Sequence, residues 1–283
     1  MSEIQTLGVI GSGQMGAGIA QVGAQSGLEV TLVDLKEDFL KKATLVIDKS
    51  LAKLAEKGKV QDPKGVKDRI RVSTKVSDLA QCDFIVEAIT ENEPVKFKTF
   101  EELDRVCKPE TFLASNTSSI SITRLAGKTK RAGRVIGMHF MNPVPMMDLV
   151  EIIRGLQTSD ETYAVTKSLA ERMGKISVLS KDSAGFIVNR ILVPMINEAI
   201  YALYQGIGTP EDIDQAMKLG THQPMGPLTL ADFVGLDTVL SILEVFHESF
   251  GDKFKPCPLL KQYVDAGWLG RKTGRGFYNY SSA

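Results

Sequence analysis

Residues Thr6 to Gly16 read TLGVIGSGQMG, and this stretch decides the fold of the first part of the chain. Its first five residues favour extended structure and predict a buried strand, and the small residues that follow are typical of a closely packed helix. Between them, residues 11–16 form a G-x-G-x-x-G pattern. The candidate cofactor contacts in this pattern are Gly11, Gly13, Gln14, Met15 and Gly16. The first glycine permits a tight turn, the second lets backbone N–H groups approach a pyrophosphate, and the third allows close helix packing. The stretch therefore predicts a dinucleotide site at a helix N-terminus.

A carboxylate stands where such a site would bind the adenosine ribose. A second apolar run, Glu29 to Val33, follows the helix and leads directly into Asp34. Strand, helix, strand and acid in this order predict a Rossmann-type domain that binds NAD. A carboxylate at this point repels a 2′-phosphate, so NADP is the less favoured alternative, and the nearby Lys36 keeps that alternative open.

Polar residues also follow the ends of the later predicted strands. The apolar runs RIRVST, CDFIVEAI, TFLAS and VIGMHF predict further strands within residues 69–140. The residues at or just beyond the carboxyl ends of successive strands are Gly11, Asp34, Glu91, Asn116, Ser118 and His139. A doubly wound parallel sheet places its ligands at this edge. We therefore expect an α/β fold with a doubly wound, mostly parallel sheet and with these residues at one edge.

His139 is the best candidate for a general base among the three histidines of the chain. It lies near the end of VIGMHF, and the prolines within residues 142–145 stop this run because they cannot continue regular structure. A second apolar run, LVEII, follows with Glu151 at its centre. If the two runs pair, the carboxylate fixes the tautomer of the imidazole and stabilises its protonated form. The alternative is a hydrogen-bonded core histidine and a solvated carboxylate on a strand.

The pattern of elements changes near residue 185. Before it, a predicted helix from Asp160 to Met173 and the short strand KISVLS continue the α/β pattern. The segment KDSAG, residues 181–185, predicts a hinge, and beyond it the periodicity is helical without a convincing strand. Thr209-Pro210 followed by two acids is a strong helix start. We expect an NAD-binding domain over residues 1–184 and an all-helical domain over residues 185–283.

Composition and charge place the chain among ordinary globular proteins. Its 283 residues are 43% hydrophobic and carry a formal net charge of +0, which gives no overall attraction to nucleic acid or a membrane surface. The cysteines, Cys82, Cys107 and Cys257, are odd in number and lack C-x-x-C spacing. We therefore expect neither disulfides nor a metal site, and a reducing, cytoplasmic setting. No export leader or membrane-spanning run is expected either.

A basic helix face is the remaining local feature. Residues 41–75 contain eleven Lys or Arg against four Asp or Glu. Lys49, Lys53 and Lys57 recur every four residues, which places three ammonium groups on one face of a predicted helix. That face suits a polyphosphate ligand, and the alternative is a solvated basic stripe.

Several motifs taken together resemble one known family. They are GSGQMGAGIAQ, VEAITEN, ASNTSS, MHFMNPVP, LVEII, GFIVNR, MKLG with QPMGP, and GRKTGRGFYNY. In this order, over nearly the whole chain, they closely resemble the 3-hydroxyacyl-CoA dehydrogenase family, and the short chain is similar to its bacterial 3-hydroxybutyryl-CoA dehydrogenases. The resemblance implies an NAD-dependent oxidoreductase that interconverts 3-hydroxyacyl-CoA and 3-ketoacyl-CoA. It also implies a homodimer formed through the C-terminal helical domain, which contributes to substrate binding.

The resemblance further implies roles for the residues at matching positions. His139 would be the general base and Glu151 its partner. Ser118 and Asn189 would hydrogen-bond around the 3-oxygen, although a local bond at a helix start is an equal alternative for Asn189. The implied cofactor contacts are Asp34, Glu91, Lys96, Asn116, Ser118 and Asn142. The implied acyl-CoA contacts are Ser50 and Lys57, and Lys57 belongs to the basic face described above.

Two other functions are compatible with the sequence. A β-hydroxyacid dehydrogenase that acts on a small free acid would share the fold and the reaction. Such enzymes commonly use a lysine near the position of Asn189, where this chain has Asn189-Arg190. A non-catalytic NAD-binding sensor would bind the cofactor without turnover, but binding alone does not require the full set of polar residues at the predicted sheet edge.

Overall fold

The structure is a computed structural model that describes residues 3–280. The chain forms two compact units, one ending at Ser183 and the other beginning at Ala184. The first unit contains a β-sheet with helices, and the second is built from helices. The predicted fold class, a Rossmann-type, mostly parallel sheet followed by an all-helical unit, is therefore confirmed.

The sheet of the first unit has eight strands within the described residues. They are Thr6–Ile10 (β1), Glu29–Val33 (β2), Ile70–Ser73 (β3), Phe84–Glu87 (β4), Phe112–Ser115 (β5), Val135–Phe140 (β6), Leu149–Arg154 (β7) and Ile176–Lys181 (β8). Their spatial order is β3-β2-β1-β4-β5-β6-β7-β8, so the strand order reverses between β1 and β4. Such a reversal opens a crevice at the carboxyl ends of the strands, where open α/β sheets bind their ligands.

The direction of each strand follows from the length of its connection. Neighbouring strands from β3 across to β6 pair in parallel, whereas β7 runs antiparallel to β6 and β8 lies parallel to β7. A parallel pair needs a crossover of about a dozen residues or more. Only residues 141–148 separate β6 from β7, so the chain reverses direction there. The apolar runs VIGMHF and LVEII consequently lie side by side.

Six α-helices accompany the sheet in the described part of the first unit. They are Gln14–Gln25 (α1), Glu37–Glu56 (α2), Pro63–Asp68 (α3), Glu93–Val106 (α4), Ile122–Ala126 (α5) and Asp160–Arg172 (α6). Helix α2 shows why they pack on the sheet, because its apolar residues recur every three or four positions on one buried face. These residues are Leu40, Ala43, Ile47, Leu51 and Leu54. The predicted basic face, Lys49, Lys53 and Lys57, is exposed.

Helix α3 is not expected from the sequence. Helix α2 ends at Glu56, and Pro63 and Gly65, residues that commonly break helices, both lie inside this short helix. Proline is favoured in the first turn of a helix, where its missing N–H has no intrahelical partner. The Asp62 side chain caps this helix by accepting a hydrogen bond from the Gly65 N–H at 2.8 Å.

The regular elements in the described part of the second unit are helices, apart from isolated β-bridges at Gly270, Arg275 and Asn279. Its α-helices are Val188–Tyr204 (α7), Pro210–Gly220 (α8), Pro227–Val234 (α9), Leu236–Phe250 (α10) and Pro258–Asp265 (α11). Thr209 caps α8 as predicted, accepting from the Asp212 N–H at 3.1 Å. Helix α9 is not expected, because it begins within a segment rich in helix breakers. Nowhere in residues 3–280 is a helix long and apolar enough to cross a membrane.

Asp83 fastens the start of β4 to β1. Its Oδ2 accepts hydrogen bonds from the N–H groups of Gln5 and Thr6, both at 3.0 Å, and from the Thr6 hydroxyl at 2.9 Å. Its Oδ1 accepts from Lys108 Nζ at 2.7 Å. Burial alone would raise the pKa of Asp83, but these bonds lower the pKa to about 2. A carboxyl group with a lowered pKa stabilises the fold above its unfolded pKa and loses that contribution as the pH falls.

We predict that Asp83→Asn lowers the free energy of unfolding at pH 7 by roughly 2 kcal/mol, the value that corresponds to the lowered pKa. The difference between wild type and variant should narrow as the pH falls from about 4 toward 2, because wild-type Asp83 becomes protonated in that range. Urea unfolding at a series of pH values measures this difference. Equal stability of the two proteins at pH 7 would contradict the anchoring role.

Candidate active site

The residues predicted at the strand ends share one edge of the sheet. Gly11, Asp34 and Asn116 directly follow β1, β2 and β5, and His139 is the penultimate residue of β6. Glu91 and Ser118 lie in the segments that follow β4 and β5. Because β1, β2, β4, β5 and β6 are parallel, their carboxyl ends meet at the same edge. The structure thus brings all six residues to one edge of the sheet.

Residues 11–16, the glycine loop, form the turn from β1 into α1. Gly11 has a φ of 98°, and a Cβ there would lie 2.5 Å from the Ala88 carbonyl oxygen. A Cβ at Gly16 would lie only 1.7 Å from the Gly11 carbonyl oxygen. Gly13 caps α1, and a Cβ there would meet nothing within 4 Å. The first and third glycines are therefore required by the fold, whereas the second keeps the helix N-terminus open, as a pyrophosphate site requires.

Asp34 closes the glycine loop from the side of β2. Its Oδ2 accepts from the N–H of Ser12 at 2.6 Å and from the Ser12 hydroxyl at 2.7 Å. Its backbone N–H donates to the carbonyl of Ser73, a residue that lines a cleft of about 670 Å³ between α2 and β3. The apolar side chains in this cleft are Leu40, Leu45 and Val72. A carboxylate beside an apolar cleft suits the ribose and adenine of a dinucleotide.

His139 and Glu151 form a buried pair. They occupy directly opposite positions in the antiparallel ladder of β6 and β7, and opposite residues project from the same face. His139 Nδ1 lies 2.7 Å from Glu151 Oε2, with His139 8% exposed and Glu151 fully buried. The alternative of a solvated strand carboxylate is therefore wrong. A carboxylate that accepts the Nδ1 proton leaves Nε2 with the lone pair, which is the tautomer of a general base.

Asn116 joins the end of β5 to the end of β6. Its Oδ1 accepts a hydrogen bond from the Phe140 N–H at 2.9 Å, one residue beyond His139. Its backbone N–H donates to the Glu87 carbonyl at 2.8 Å. With Oδ1 committed to β6, the Nδ2 group is the part of this side chain that can donate to a ligand.

Glu91 organises residues 116–119, the Ser118 turn. Its Oε1 accepts hydrogen bonds from the Thr117 hydroxyl at 2.6 Å, from the Ser118 N–H at 2.8 Å and from the Ser119 N–H at 3.1 Å. The Ser118 hydroxyl donates to the same oxygen at 3.2 Å. Burial alone would raise the pKa of Glu91, but the nearby Lys96 ammonium and these hydrogen bonds lower the pKa. Glu91 is therefore an ionised acceptor whose hydrogen bonds fix the Ser118 turn.

Lys96 points into the protein rather than into solvent. It is 1% exposed, and its Nζ donates to Glu87 Oε1 at 2.6 Å and lies 3.4 Å from Glu91 Oε2. Glu87 is the last residue of β4 and is fully buried. Lys96 is among the site residues expected from the sequence, whereas Glu87 is not. The sequence does contain one indication of a role for Glu87. It is an acid inside the apolar run CDFIVEAI, and a buried strand does not normally carry an unpaired charge.

The remaining predicted residues lie on other helices or in a loop. Ser50 is in α2 and Lys57 follows its last residue, while Asn142 is exposed in the loop between β6 and β7. Lys175 holds this loop, because its Nζ donates to the carbonyls of Val144 and Met147 at 2.7 and 2.8 Å. In the second unit, Asn189 lies in the first turn of α7. It is half-buried.

Other reactive groups are few among the described residues. Burial raises the pKa of the Cys82 thiol to about 12 and that of Cys107 to about 11, so neither supplies a thiolate near neutral pH. Within residues 3–280, no group of three or more His, Cys, Asp or Glu side chains is placed to hold a metal ion. Among the histidines of the described residues, His139 is the one buried against a buried carboxylate.

Comparison with known families agrees with this geometry. Residues 6–183 match the model of the 3-hydroxyacyl-CoA dehydrogenase NAD binding domain, and residues 185–280 match the C-terminal domain of the same family. The chain belongs to the 3-hydroxyacyl-CoA dehydrogenase family, whose members are NAD-dependent oxidoreductases.

Individual relatives match over almost their whole length. The chain is 56% identical over 275 residues to a probable 3-hydroxybutyryl-CoA dehydrogenase of Deinococcus radiodurans, covering 96% of this chain and 99% of that protein. It is 56% identical to the 3-hydroxybutyryl-CoA dehydrogenase of Bradyrhizobium diazoefficiens, covering 99% and 97%. The crystal structure of (S)-3-hydroxybutyryl-CoA dehydrogenase from Ralstonia eutropha matches with a TM-score of 0.96 and 49% identity, covering 99% of this chain and all of that one.

The glycine loop offers a matched pair of variants. We predict that Gly13→Ala folds with little loss of stability but binds NADH at least about tenfold more weakly, because its methyl group occupies the space that a pyrophosphate needs. Gly16→Ala should fail to fold stably, since its methyl group would overlap the Gly11 carbonyl. Thermal unfolding and NADH fluorescence titration measure the two effects. Wild-type NADH affinity in folded Gly13→Ala would remove the glycine loop from the proposed cofactor site.

Proposed function

We propose that this protein interconverts 3-hydroxybutyryl-CoA and acetoacetyl-CoA with NAD as the redox partner. The observation that carries the proposal is the buried His139–Glu151 pair at the sheet edge that also bears the glycine loop. A base with a fixed tautomer at a dinucleotide site suits the oxidation of a secondary alcohol. The 56% identity to proteins named 3-hydroxybutyryl-CoA dehydrogenase supports the four-carbon substrate.

In the proposed mechanism His139 moves a proton and the other residues orient the substrate. A bound nicotinamide supplies the acceptor for the hydride that leaves C3, or its donor in the reverse direction. His139 Nε2 takes the 3-hydroxyl proton as the C3–O bond becomes a carbonyl. Glu151 stabilises the positive charge that develops on the imidazole. Ser118 and Asn189 hydrogen-bond the 3-oxygen, and in the reduction direction the protonated His139 returns its proton.

The cofactor contacts we propose begin with the glycine loop. The other proposed contacts are Asp34, Glu91, Asn116, Ser118 and Asn142. Lys96 would act through Glu91, because its ammonium group is enclosed beside Glu87. Preference for NAD over NADP is supported by the Asp34 carboxylate, which would repel a 2′-phosphate at the ribose.

One exposed face of α2 supports an acyl-CoA rather than a free acid as substrate. Val46, Lys49, Ser50, Lys53 and Lys57 are spaced so that they share this face. Val46 is 53% exposed, and the three lysines are exposed around it. An apolar surface surrounded by ammonium groups suits the pantetheine chain and phosphates of coenzyme A. Ser50 and Lys57 are the contacts we propose there.

We also propose that two copies associate through the second unit, as substrate and dimerisation domain. Ile191, Ile207 and Leu219 are each at least two-thirds exposed in this unit. Exposed apolar side chains that form one contiguous patch commonly mark a protein interface. A homodimer would cover them.

A reducing, cytoplasmic setting completes the proposal. Cys82, Cys107 and Cys257 are all buried free thiols. Thiols that remain unpaired are typical of proteins kept in a reducing compartment. Their burial would also protect them from oxidation, which favours exposed thiolates.

Absorbance of NADH during reduction of 3-ketoacyl-CoA esters of increasing length tests the reaction, the substrate and the cofactor together. We expect the highest kcat/KM with acetoacetyl-CoA and NADH, and a value at least about tenfold lower with NADPH. Turnover of free acetoacetate at a similar rate would favour the β-hydroxyacid dehydrogenase. Binding of NADH without turnover of any ester would identify a sensor.

Substitution of the buried pair tests the mechanism. His139→Gln should lower turnover by about 10²-fold or more while NADH binding stays nearly unchanged. Glu151→Gln should also be slow and show a changed pH profile, because the protonated ring loses its carboxylate partner. His247→Gln, which alters a surface histidine paired with Asp252, is the matched control and should retain activity. Near-normal turnover in folded His139→Gln would refute the assignment of the base.

A further inference from the structure

Glu87 is a buried charged group that the proposed mechanism does not use. It is fully buried at the end of β4, and the Lys96 ammonium that it binds is 1% exposed. Removing two charges from water is costly unless the pair is well placed and its other lone pairs are satisfied. Glu87 meets this condition, because Oε1 also accepts from the Ile89 N–H at 2.8 Å and Oε2 from the Ser115 hydroxyl at 2.6 Å.

Two routes lead from Glu87 to the Ser118 turn. In the first, Lys96 bridges Glu87 to Glu91, and Glu91 accepts from both the N–H and the hydroxyl of Ser118. In the second, the Ser115 hydroxyl donates to Glu87 and accepts from the Thr117 N–H at 3.2 Å. Both routes end at the Ser118 turn, residues 116–119.

The ammonium group is shared unequally between the two carboxylates. Lys96 Nζ is 2.6 Å from Glu87 but 3.4 Å from Glu91, and the Glu91 side chain is 38% exposed. Without a fixed cation, a partly exposed carboxylate can turn toward water. Glu87 holds that cation from inside the protein, so the position of Glu91 depends on it.

We propose that Glu87 is a positioning residue for Ser118. Through Lys96 and Ser115 it fixes Glu91 and the Ser118 turn, and thereby the hydroxyl that contacts the 3-oxygen of the substrate. This inference rests on the proposed function of Ser118. Glu87 itself touches neither substrate nor cofactor.

A double-mutant cycle between Glu87 and Ser118 tests the proposal. Glu87→Gln keeps the size of the side chain and an acceptor for Lys96 but removes the charge. We expect it to lower kcat/KM for acetoacetyl-CoA about tenfold or more, because a small misplacement of an orienting group is expensive in rate. In a Ser118→Ala background the same substitution should change kcat/KM less than about twofold, since residues that act as one unit are not additive.

Amide hydrogen exchange provides a readout without turnover. The Ser118 and Ser119 N–H groups both donate to Glu91 Oε1, so in ligand-free Glu87→Gln their exchange should accelerate about tenfold or more. Lys108→Met is the matched control, because it breaks the Lys108–Asp83 pair at the opposite end of β4. It should leave exchange in the Ser118 turn and kcat/KM within about twofold of wild type.

The outcomes separate the two proposals. Ser118→Ala with wild-type turnover would overturn the proposed role of Ser118 and the inference with it. Two outcomes would overturn only the role of Glu87. One is a slow Ser118→Ala variant in which Glu87→Gln still lowers kcat/KM by its full factor. The other is unchanged amide exchange of Ser118 and Ser119 in Glu87→Gln. If Glu87→Gln does not fold, Glu87→Gln/Lys96→Met removes both buried charges and carries the same expected non-additivity.

Discussion

The hydrogen-bonded register between β6 and β7 is the constraint on which the candidate site depends. It places His139 directly opposite Glu151, so two side chains meet because their backbones are paired. A longer connection with a helix would have made β7 parallel and sent Glu151 elsewhere in the sheet. One antiparallel pair beside a parallel array therefore supplies a carboxylate to a histidine at the edge where the glycine loop lies.

Buried charges elsewhere in the first unit follow the same rule as this pair. Glu87 and Glu151 are both fully buried, and each has a basic partner in hydrogen-bond contact. Throughout the described residues, every buried side-chain nitrogen and oxygen has a hydrogen-bond partner. Desolvated ion pairs commonly contribute little net stability. Their value here lies in geometry, since a carboxylate with several fixed partners has only one position available to it.

The sequence predicts the long elements and the sheet edge correctly, because both follow from periodicities that extend over many residues. Helix α2 and strand β2 with Asp34 at its end are examples. Helices α3, α5 and α9 are too short for a periodic signal, so they escape prediction. The contact of His139 with Glu151 depends on register, which a shift of one residue would reverse. The sequence also does not predict that Glu87 and Lys96 are buried. Charged residues are normally exposed, and the pairing of these two is visible only in three dimensions.

The same register determines where this chain can change in length. Successive residues of a strand face opposite sides, so one residue inserted into β6 after its start would turn His139 away from Glu151. A residue inserted near Met146 and Met147, which are exposed in the connecting loop, would leave both strands in register. Lengthening a loop slightly changes its closure entropy very little. We therefore expect insertions between the base and its partner to be tolerated only in this loop, so that the spacing of the two residues in the sequence is freer than their spacing in the sheet.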